Sequence, residues 1–212
     1  MTTVILANGD FPSSERTAGF LKRADRIICC DGAAVQLLEH GIKPDLIVGD
    51  MDSLPQSLQQ RFANIIRKDS DQQTNDLTKA FNAAVESKPD TIHILGATGK
   101  REDHTMANVS LLCDYAERLE GSGCSIDMIT ESGVFLAFCS KDISFNCQAG
   151  VEISIFAFDN SLRMSCKGLQ YNTDKVTFDT LWKATLNRSI AEDISLHLNH
   201  PAKVAVFICS PD

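Results

Sequence analysis

The sequence contains no apolar run approaching the roughly eighteen residues that a membrane-spanning helix requires. Its start, Met1 to Phe11, lacks the basic segment and the long apolar stretch of a secretory signal. A cytoplasmic protein with no membrane partner is therefore expected. Basic charge is also scarce: 20 Lys and Arg face 28 Asp and Glu, for a formal net charge of −8. That balance argues against a nucleic-acid partner, whose binding rests on a basic surface and counterion release. No CxxC, HExxH, nucleophile elbow or His/Cys cluster is present, which removes the usual signatures of zinc sites and serine hydrolases. The eight cysteines fall mostly inside apolar stretches such as RIICCDG and AVFICS, as reduced thiols acting as small core residues do. Internal repeats, low-complexity segments and a Pro/Gly/Ser-rich linker are missing too.

What is there is ordinary globular material: 212 residues, 43% hydrophobic and 23% charged. The length suits one large or two small domains. Val4–Ala7, Arg26–Cys30, Leu46–Val48, Ile65–Arg67 and Thr91–Leu95 are short, apolar and bounded by Gly, Asp or Pro, which predicts buried strands. Between them, Ala33–His40, Leu77–Glu86 and His104–Leu119 carry apolar residues at helical spacing, with Gly41 as a stop for the first. This alternation predicts an α/β domain with a mostly parallel, doubly wound sheet. From Ser125 the runs become strand-length, in SIDMIT, GVFLAFCS, ISFNC, VEISIFAF, LRMSCKGL, KVTFD and KVAVFIC. They predict a following antiparallel β-sandwich domain. The boundary falls within 120–140, giving domains over 1–130 and 131–212.

Ligands of an open parallel sheet bind beyond the carboxyl ends of its strands. The unusual polar residues collect there in three loops: 49–53, 69–76 and 96–104. Asp50 and Asp52 are two apart, so in an extended segment both project to one side, where their repulsion calls for a cation or a donor. Mg²⁺ suits such hard oxygen ligands, and a helix-capping DxD turn is the plainer alternative. Asp76, opening a helix, is either a third carboxylate or a first-turn acid. Gly96 and Gly99 lie between a strand and a helix, where amides can approach an anion, although the loop is neither a Walker A loop nor GxGxxG. Lys100 and Arg101 add cationic donors. Adjacent Asp103 and His104 diverge on a helix, and Asn108 lies one turn on, within reach of the loop or a ligand.

Taken together, these loops resemble those of the thiamine pyrophosphokinase family. The matching segments are Asn8-Gly9, Cys30 to Ala34, Gly49 to Ser53, Asp71 to Ala80 and Gly96 to Asn108, with looser matches at Gly168 to Tyr171 and Thr185 to Asn187. The resemblance implies an α/β catalytic, nucleotide-binding domain and a β-sandwich domain that binds thiamine and dimerises. The implied reaction transfers diphosphate from ATP to thiamine, with AMP as the other product. It makes Asp50, Asp52 and Asp76 the Mg²⁺ ligands and puts Arg101 with the nucleotide phosphates. It assigns Asn8, Asp31, Gly32, Gly96, Gly99, Lys100 and Asn108 to the nucleotide. Gln72 and Asp103 face thiamine, Tyr171 stacks on it from the neighbouring subunit of a homodimer, and Thr185 joins the site. Gln73, at a position often acidic in the family, and Lys100, in place of a frequent Gly, depart from its pattern. Such chemistry needs alignment of the thiamine hydroxyl with the β-phosphorus and neutralisation of developing charge. A pterin-type alcohol as acceptor, a non-catalytic nucleotide- or thiamine-sensing module and a metal-dependent phosphohydrolase are the competing readings.

Overall fold

The computed structural model describes residues 1–71 and 73–210. In chain order its elements are β1 (Thr2–Leu6), α1 (Glu15–Arg23), β2 (Arg26–Cys30), α2 (Ala33–Glu39), β3 (Leu46–Gly49), α3 (Gln56–Arg61), β4 (Ile66–Lys68), α4 (Asp76–Val85), β5 (Thr91–Leu95), α5 (Glu102–Arg118) and β6 (Ser125–Thr130). The later ones are β7 (Gly133–Phe138), β8 (Asp142–Asn146), β9 (Glu152–Ala157), β10 (Met164–Lys167), β11 (Ala184–Arg188), β12 (Asp193–Leu198) and β13 (Val204–Cys209). Two compact units emerge, one of 1–111 with 121–131 and one of 112–120 with the chain from 132 onward. Among the described residues, no helix is long and apolar enough to cross a membrane.

The first unit is built on parallel strands in the order β6-β5-β1-β2-β3-β4. The strands that the sequence marked as apolar runs are its centre: Val4, Ile5, Ile28, Cys29, Ile92 and Ile94 are fully buried. Helix α4 packs over β1, β2 and β3. Its Leu77, Ala80, Phe81 and Ala84 supply the apolar stripe at helical spacing, and the Asn75 side chain caps it by accepting from Thr78 N at 2.8 Å. The cap fixes where the helix begins and so brings Asp76 to the carboxyl rim of the sheet. Helix α2 ends as its glycine predicts. Gly41 has φ +75°, and the amides of Gly41 and Ile42 donate to the carbonyls of Leu38 and Leu37.

One strand belongs elsewhere than its texture suggested. SIDMIT, grouped by its texture with the antiparallel runs although it lies within 1–130, is β6, the last parallel strand of the first sheet, paired with β5. Its one charged residue, Asp127, pairs with His93 of β5 at 2.7 Å. The strand is therefore covered rather than solvated.

The second unit carries an antiparallel sheet in the order β11-β9-β13-β7 and a three-stranded sheet β10-β12-β8. Alternate residues of both sheets, including Ile143, Ile153, Ile155, Ile194, Leu196, Val204 and Val206, share one core, as in a sandwich. KVTFD, expected to be a strand, is not one. Asn172 and Asp174 bond each other's backbone or side chain in a tight turn, and Val176 N closes on Thr173 O, so the segment spends its polar groups locally. Phe178 plugs into the core, and Val176 packs against it. All eight cysteines are free.

Candidate active site

In the first sheet the chain leaves β1 toward β2 on one side and leaves β5 toward β6 on the other, so the loops beyond these neighbours diverge and open a crevice. A cleft of about 460 Å³ occupies it, bordered by the loops after β1, β2, β3 and β5 and by the start of α4. The first and last of these loops are stitched together: Gly9 N donates to Gly96 O at 2.6 Å and Asp10 N to Thr98 O at 2.9 Å. Gly99 lies at φ +102° with the Asp10 carboxylate 2.1 Å from where a Cβ would stand, so only glycine fits this stitch.

Three carboxylates meet in the cleft. One oxygen from each of Asp31, Asp50 and Asp76 lies within 4.8 Å of the other two. Asp31 follows β2 in a left-handed conformation, φ +40°, and is only 3% exposed. Its Oδ2 accepts from Ser53 N at 3.0 Å, while its Oδ1 is buried without a hydrogen-bond partner. Burial pushes the Asp31 carboxyl up to about 6, opposed by the Ser53 amide and reinforced by Asp52 and Asp76. Burial likewise raises Asp76, with Lys79 beside it pulling the other way and Asp50 and Asp52 adding to the rise. Gly49 makes the gathering possible, since a Cβ there would stand 2.9 Å from Asp31 Cβ and 3.3 Å from Asp76 Cγ.

An oxygen-lined cluster with a buried, unpartnered carboxylate oxygen fits a divalent cation, which would take up that lone pair and relieve the repulsion among the three acids. Lys79, 5% exposed, already offsets part of the charge. Its ammonium donates to Asp69 O at 3.0 Å and to Asp76 Oδ1 at 3.3 Å. Lys79 and Gly49 are the members of this arrangement that residue types alone did not single out. Lysine is ordinarily a surface residue, and a glycine before an acidic pair reads as a turn.

Of the other predicted residues, Asp52 lies outside the trio. Met51 is left-handed at φ +69°, so the DxD segment is a turn rather than the extended stretch expected. Asp52 is exposed, its amide donates to Asp50 Oδ1 at 3.2 Å, and its carboxylate accepts from Ser53 Oγ at 2.8 Å and touches Asp31. Asn8, Gly96, Lys100, Arg101 and Asn108 border the cleft, as does His104. Lys100 donates to Asn8 O at 3.2 Å and Asn108 to Ala97 O at 2.7 Å, so both brace the glycine loop. Gly32 stands at the start of α2, where a Cβ would meet Asn8 and Ser53 at 3.0 Å. Arg101 grips Asp103 with two bonds, of 3.0 and 2.5 Å, on the exposed loop. The guanidinium beside it holds the Asp103 carboxyl down to about 2.

Gln72 lies outside the described residues. Tyr171 and Thr185 belong to the second unit. Tyr171 is 59% exposed, and the Asn187 carboxamide pins its backbone by accepting from Tyr171 N at 3.0 Å and donating to Tyr171 O at 2.8 Å. Thr185 donates to Trp182 O at 2.6 Å. Asn187, 4% exposed, is a positioning group that the loose match at Thr185 to Asn187 included without giving it a role.

Comparison with known proteins bears on this arrangement. Residues 17–120 match the thiamin pyrophosphokinase catalytic domain, and residues 133–207 match the thiamin pyrophosphokinase substrate-binding domain. The chain is 32% identical over 117 residues to the thiamine pyrophosphokinase of Bacillus subtilis (strain 168), covering 52% of this chain and 54% of that protein. It is 32% identical over 138 residues to thiamine pyrophosphokinase 1 of Oryza sativa subsp. japonica, covering 52% of each. The matched stretch thus spans about half the length of these curated relatives. In three dimensions it superimposes on the crystal structure of the Bacillus subtilis enzyme with a TM-score of 0.80, covering 100% of both chains at 21% identity. The Candida albicans structure gives 0.80 at 17% identity, covering 99% of this chain and 90% of that one. With both of the family's domains matched in order along one chain, and its fold reproduced over the whole length, the protein belongs to the thiamin pyrophosphokinase family.

Proposed function

We propose that the protein is a thiamine diphosphokinase, an Mg²⁺-dependent cytoplasmic enzyme that moves the diphosphoryl group of ATP to the hydroxyl of thiamine. The carrying observation is the Asp31, Asp50 and Asp76 cluster, with its unpartnered Asp31 oxygen, set against a glycine loop in the crevice of a family-matched sheet. In the reaction the thiamine hydroxyl oxygen bonds to the β-phosphorus as the bond from that phosphorus to the α-phosphate oxygen breaks. AMP leaves with the bridging oxygen, and the hydroxyl proton passes to solvent or a nearby acceptor. Mg²⁺, held by Asp31, Asp50 and Asp76 with Asp52 at their edge, supplies charge neutralisation for the phosphates when bound.

The chain's own groups do the rest. The glycine loop presents amides and the Lys100 and Arg101 side chains to the nucleotide, with Asn8 and Asn108 bracing the loop. Asp103 orients thiamine, and while Arg101 grips it and holds its carboxyl down to about 2 it is a poor base for the hydroxyl proton. Gln72 faces thiamine, Tyr171 stacks on it from the neighbouring subunit, and Thr185 joins the site. Family membership supports thiamine over a pterin-type acceptor, and free cysteines suit a reducing compartment.

With ATP, Mg²⁺ and thiamine, AMP and thiamine diphosphate should appear in equal amounts, and release of ADP or indifference to thiamine would reject the reading. In the same assay Asp50→Asn should slow turnover about 10²–10³-fold, with a melting temperature close to that of the parent protein. Equal collapse of folding would make Asp50 a structural residue instead.

The reading also makes the enzyme a homodimer with domains at 1–130 and 131–212, the second carrying the interface. In support, Tyr171, Trp182, Leu186 and Ile190 are 59–75% exposed, on and around the edge strand β11. Sedimentation equilibrium should return twice the chain mass, and Trp182→Asp combined with Leu186→Asp should return the single-chain mass. A parent protein that sediments as a monomer removes this part of the proposal.

A further inference from the structure

Among the described residues, the buried charged side chains are Asp31 and Lys79. A buried ammonium is costly unless paired, and an apolar side chain would fill the same space at the inner face of α4 without that cost. Lys79 follows Asp76 by three residues on the helix. Pairs at this spacing on an open surface contribute a few tenths of a kcal/mol. Here the lysine side chain is 4% exposed and that of Asp76 35%, so solvent screens the contact less than it does on an open surface. The ammonium also donates to Asp69 O, and Asp69 N in turn donates to Gly49 O at 2.8 Å. One charge thereby fastens the loop after β4, the end of β3 and the first residue of α4 around the carboxylates.

The three clustered carboxylates and one ammonium sum to a formal −3 + 1 = −2, and Asp52, touching Asp31 at the edge, adds further negative charge that a divalent ion and the lysine offset together. We propose that Lys79 is a built-in counter-cation: it holds the aspartate cluster together while no divalent ion is present, and it competes with the ion that binds there. The inference rests on the reading that Asp31, Asp50 and Asp76 take a divalent cation. It adds that the site is prepaid with one positive charge, so that an empty cleft stays folded and the ion is held only moderately.

Two measurements, neither of them turnover, test this. Lys79→Met keeps the length of the side chain and removes its charge and donors. In chelator the variant should melt lower than the parent, and saturating Mn²⁺ should close more than half of that gap, because an ion that binds the folded state more tightly stabilises it more. Calorimetry should show Mn²⁺ binding at least about tenfold tighter to the variant, with one ion per chain. Lys79→Gln, which keeps a donor without the charge, should behave as Lys79→Met does.

A gap that Mn²⁺ leaves unchanged, or affinity equal to or weaker than the parent's, would overturn the proposal and leave Lys79 as a loop anchor. Should Lys79→Met fail to fold in chelator, Lys79→Met with Asp76→Asn decides. The double variant folds if charge balance is the lysine's role, and stays unfolded if it is not. A parent protein that shows no Mn²⁺ binding overturns the cation site itself, whereas parent binding with an indifferent variant overturns only the role of Lys79.

Discussion

Asp31→Asn should make the cation-free protein more stable and nearly inactive at the same time. Asp31 is buried with one oxygen unpartnered, and its carboxyl is pushed from an ordinary 3.8 up to about 6 by burial and by its acidic neighbours. The folded state therefore holds the proton more tightly than the unfolded chain. Stability is at its fullest below about 4, declines as pH rises from about 4 to about 6, and is lower by the whole linkage energy above that. At 1.36 kcal/mol per pKa unit the penalty near neutral pH is about 2–3 kcal/mol, or about 4–12 °C in melting temperature for a chain of this size.

Asparagine has no charge to desolvate and tolerates the left-handed conformation that Asp31 adopts at φ +40°. In chelator at pH 8 the variant should melt several degrees above the parent, with the difference vanishing near pH 4. Turnover should fall about 10²–10³-fold, since the proposed ion would lose one of its three carboxylates. A variant that melts below the parent at pH 8 would show that Asp31 is held by compensating contacts and carries no stored repulsion. Scanning calorimetry at the two pH values, beside the AMP assay, separates these outcomes.

The same physics decides what could be read from the sequence. Arg26–Cys30 and Thr91–Leu95 were delimited residue for residue, because a strand buried on both faces is mostly apolar and stops at its polar rim. Helix α4 was legible from Leu77, Phe81 and Ala84, and with it Asp76 at the rim. Helix α1 was not: its nine residues bury Thr17, Gly19 and Leu21, too weakly apolar a stripe to stand out, and its order comes from the Ser14 cap and opposite charges at its two ends. Strand β11 was missed because a register shift between Ala184 and Asn187, with Leu186 at φ +57°, breaks the alternation that marks a strand. In the cleft, residue type pointed to Asp50, Asp52 and Asp76, of which Asp52 lies outside the trio. Asp31 stood at the same rim, after β2, but only folding shows that it faces Asp50 and Asp76. The tie between Arg101 and Asp103 and the burial of Lys79 are likewise properties of side-chain placement, which spacing does not encode.

The second large effect is expected where there is no side chain at all. A methyl group at residue 49 would stand 2.9 Å from Asp31 Cβ and 3.3 Å from Asp76 Cγ, with the backbone at φ +155°. Gly49→Ala must therefore push apart two of the three carboxylates, neither of which can yield easily. Asp31 is held by Ser53 N, and Asp76 is fixed by the Asn75 cap and Lys79. A stability loss of about 1–3 kcal/mol is expected from backbone strain and crowding. Turnover should drop by about 10²-fold or more, because displacements near 1 Å at a reacting centre have that consequence. Gly41→Ala is the control that isolates strain from crowding. Gly41 is also left-handed, at φ +75°, but no atom lies within 4 Å of its missing Cβ. That variant should lose about 1 kcal/mol of stability and keep its activity. If the two variants lose activity alike, crowding of Asp31 and Asp76 is not the cause, and the tight placement of these carboxylates would not be what the reaction depends on.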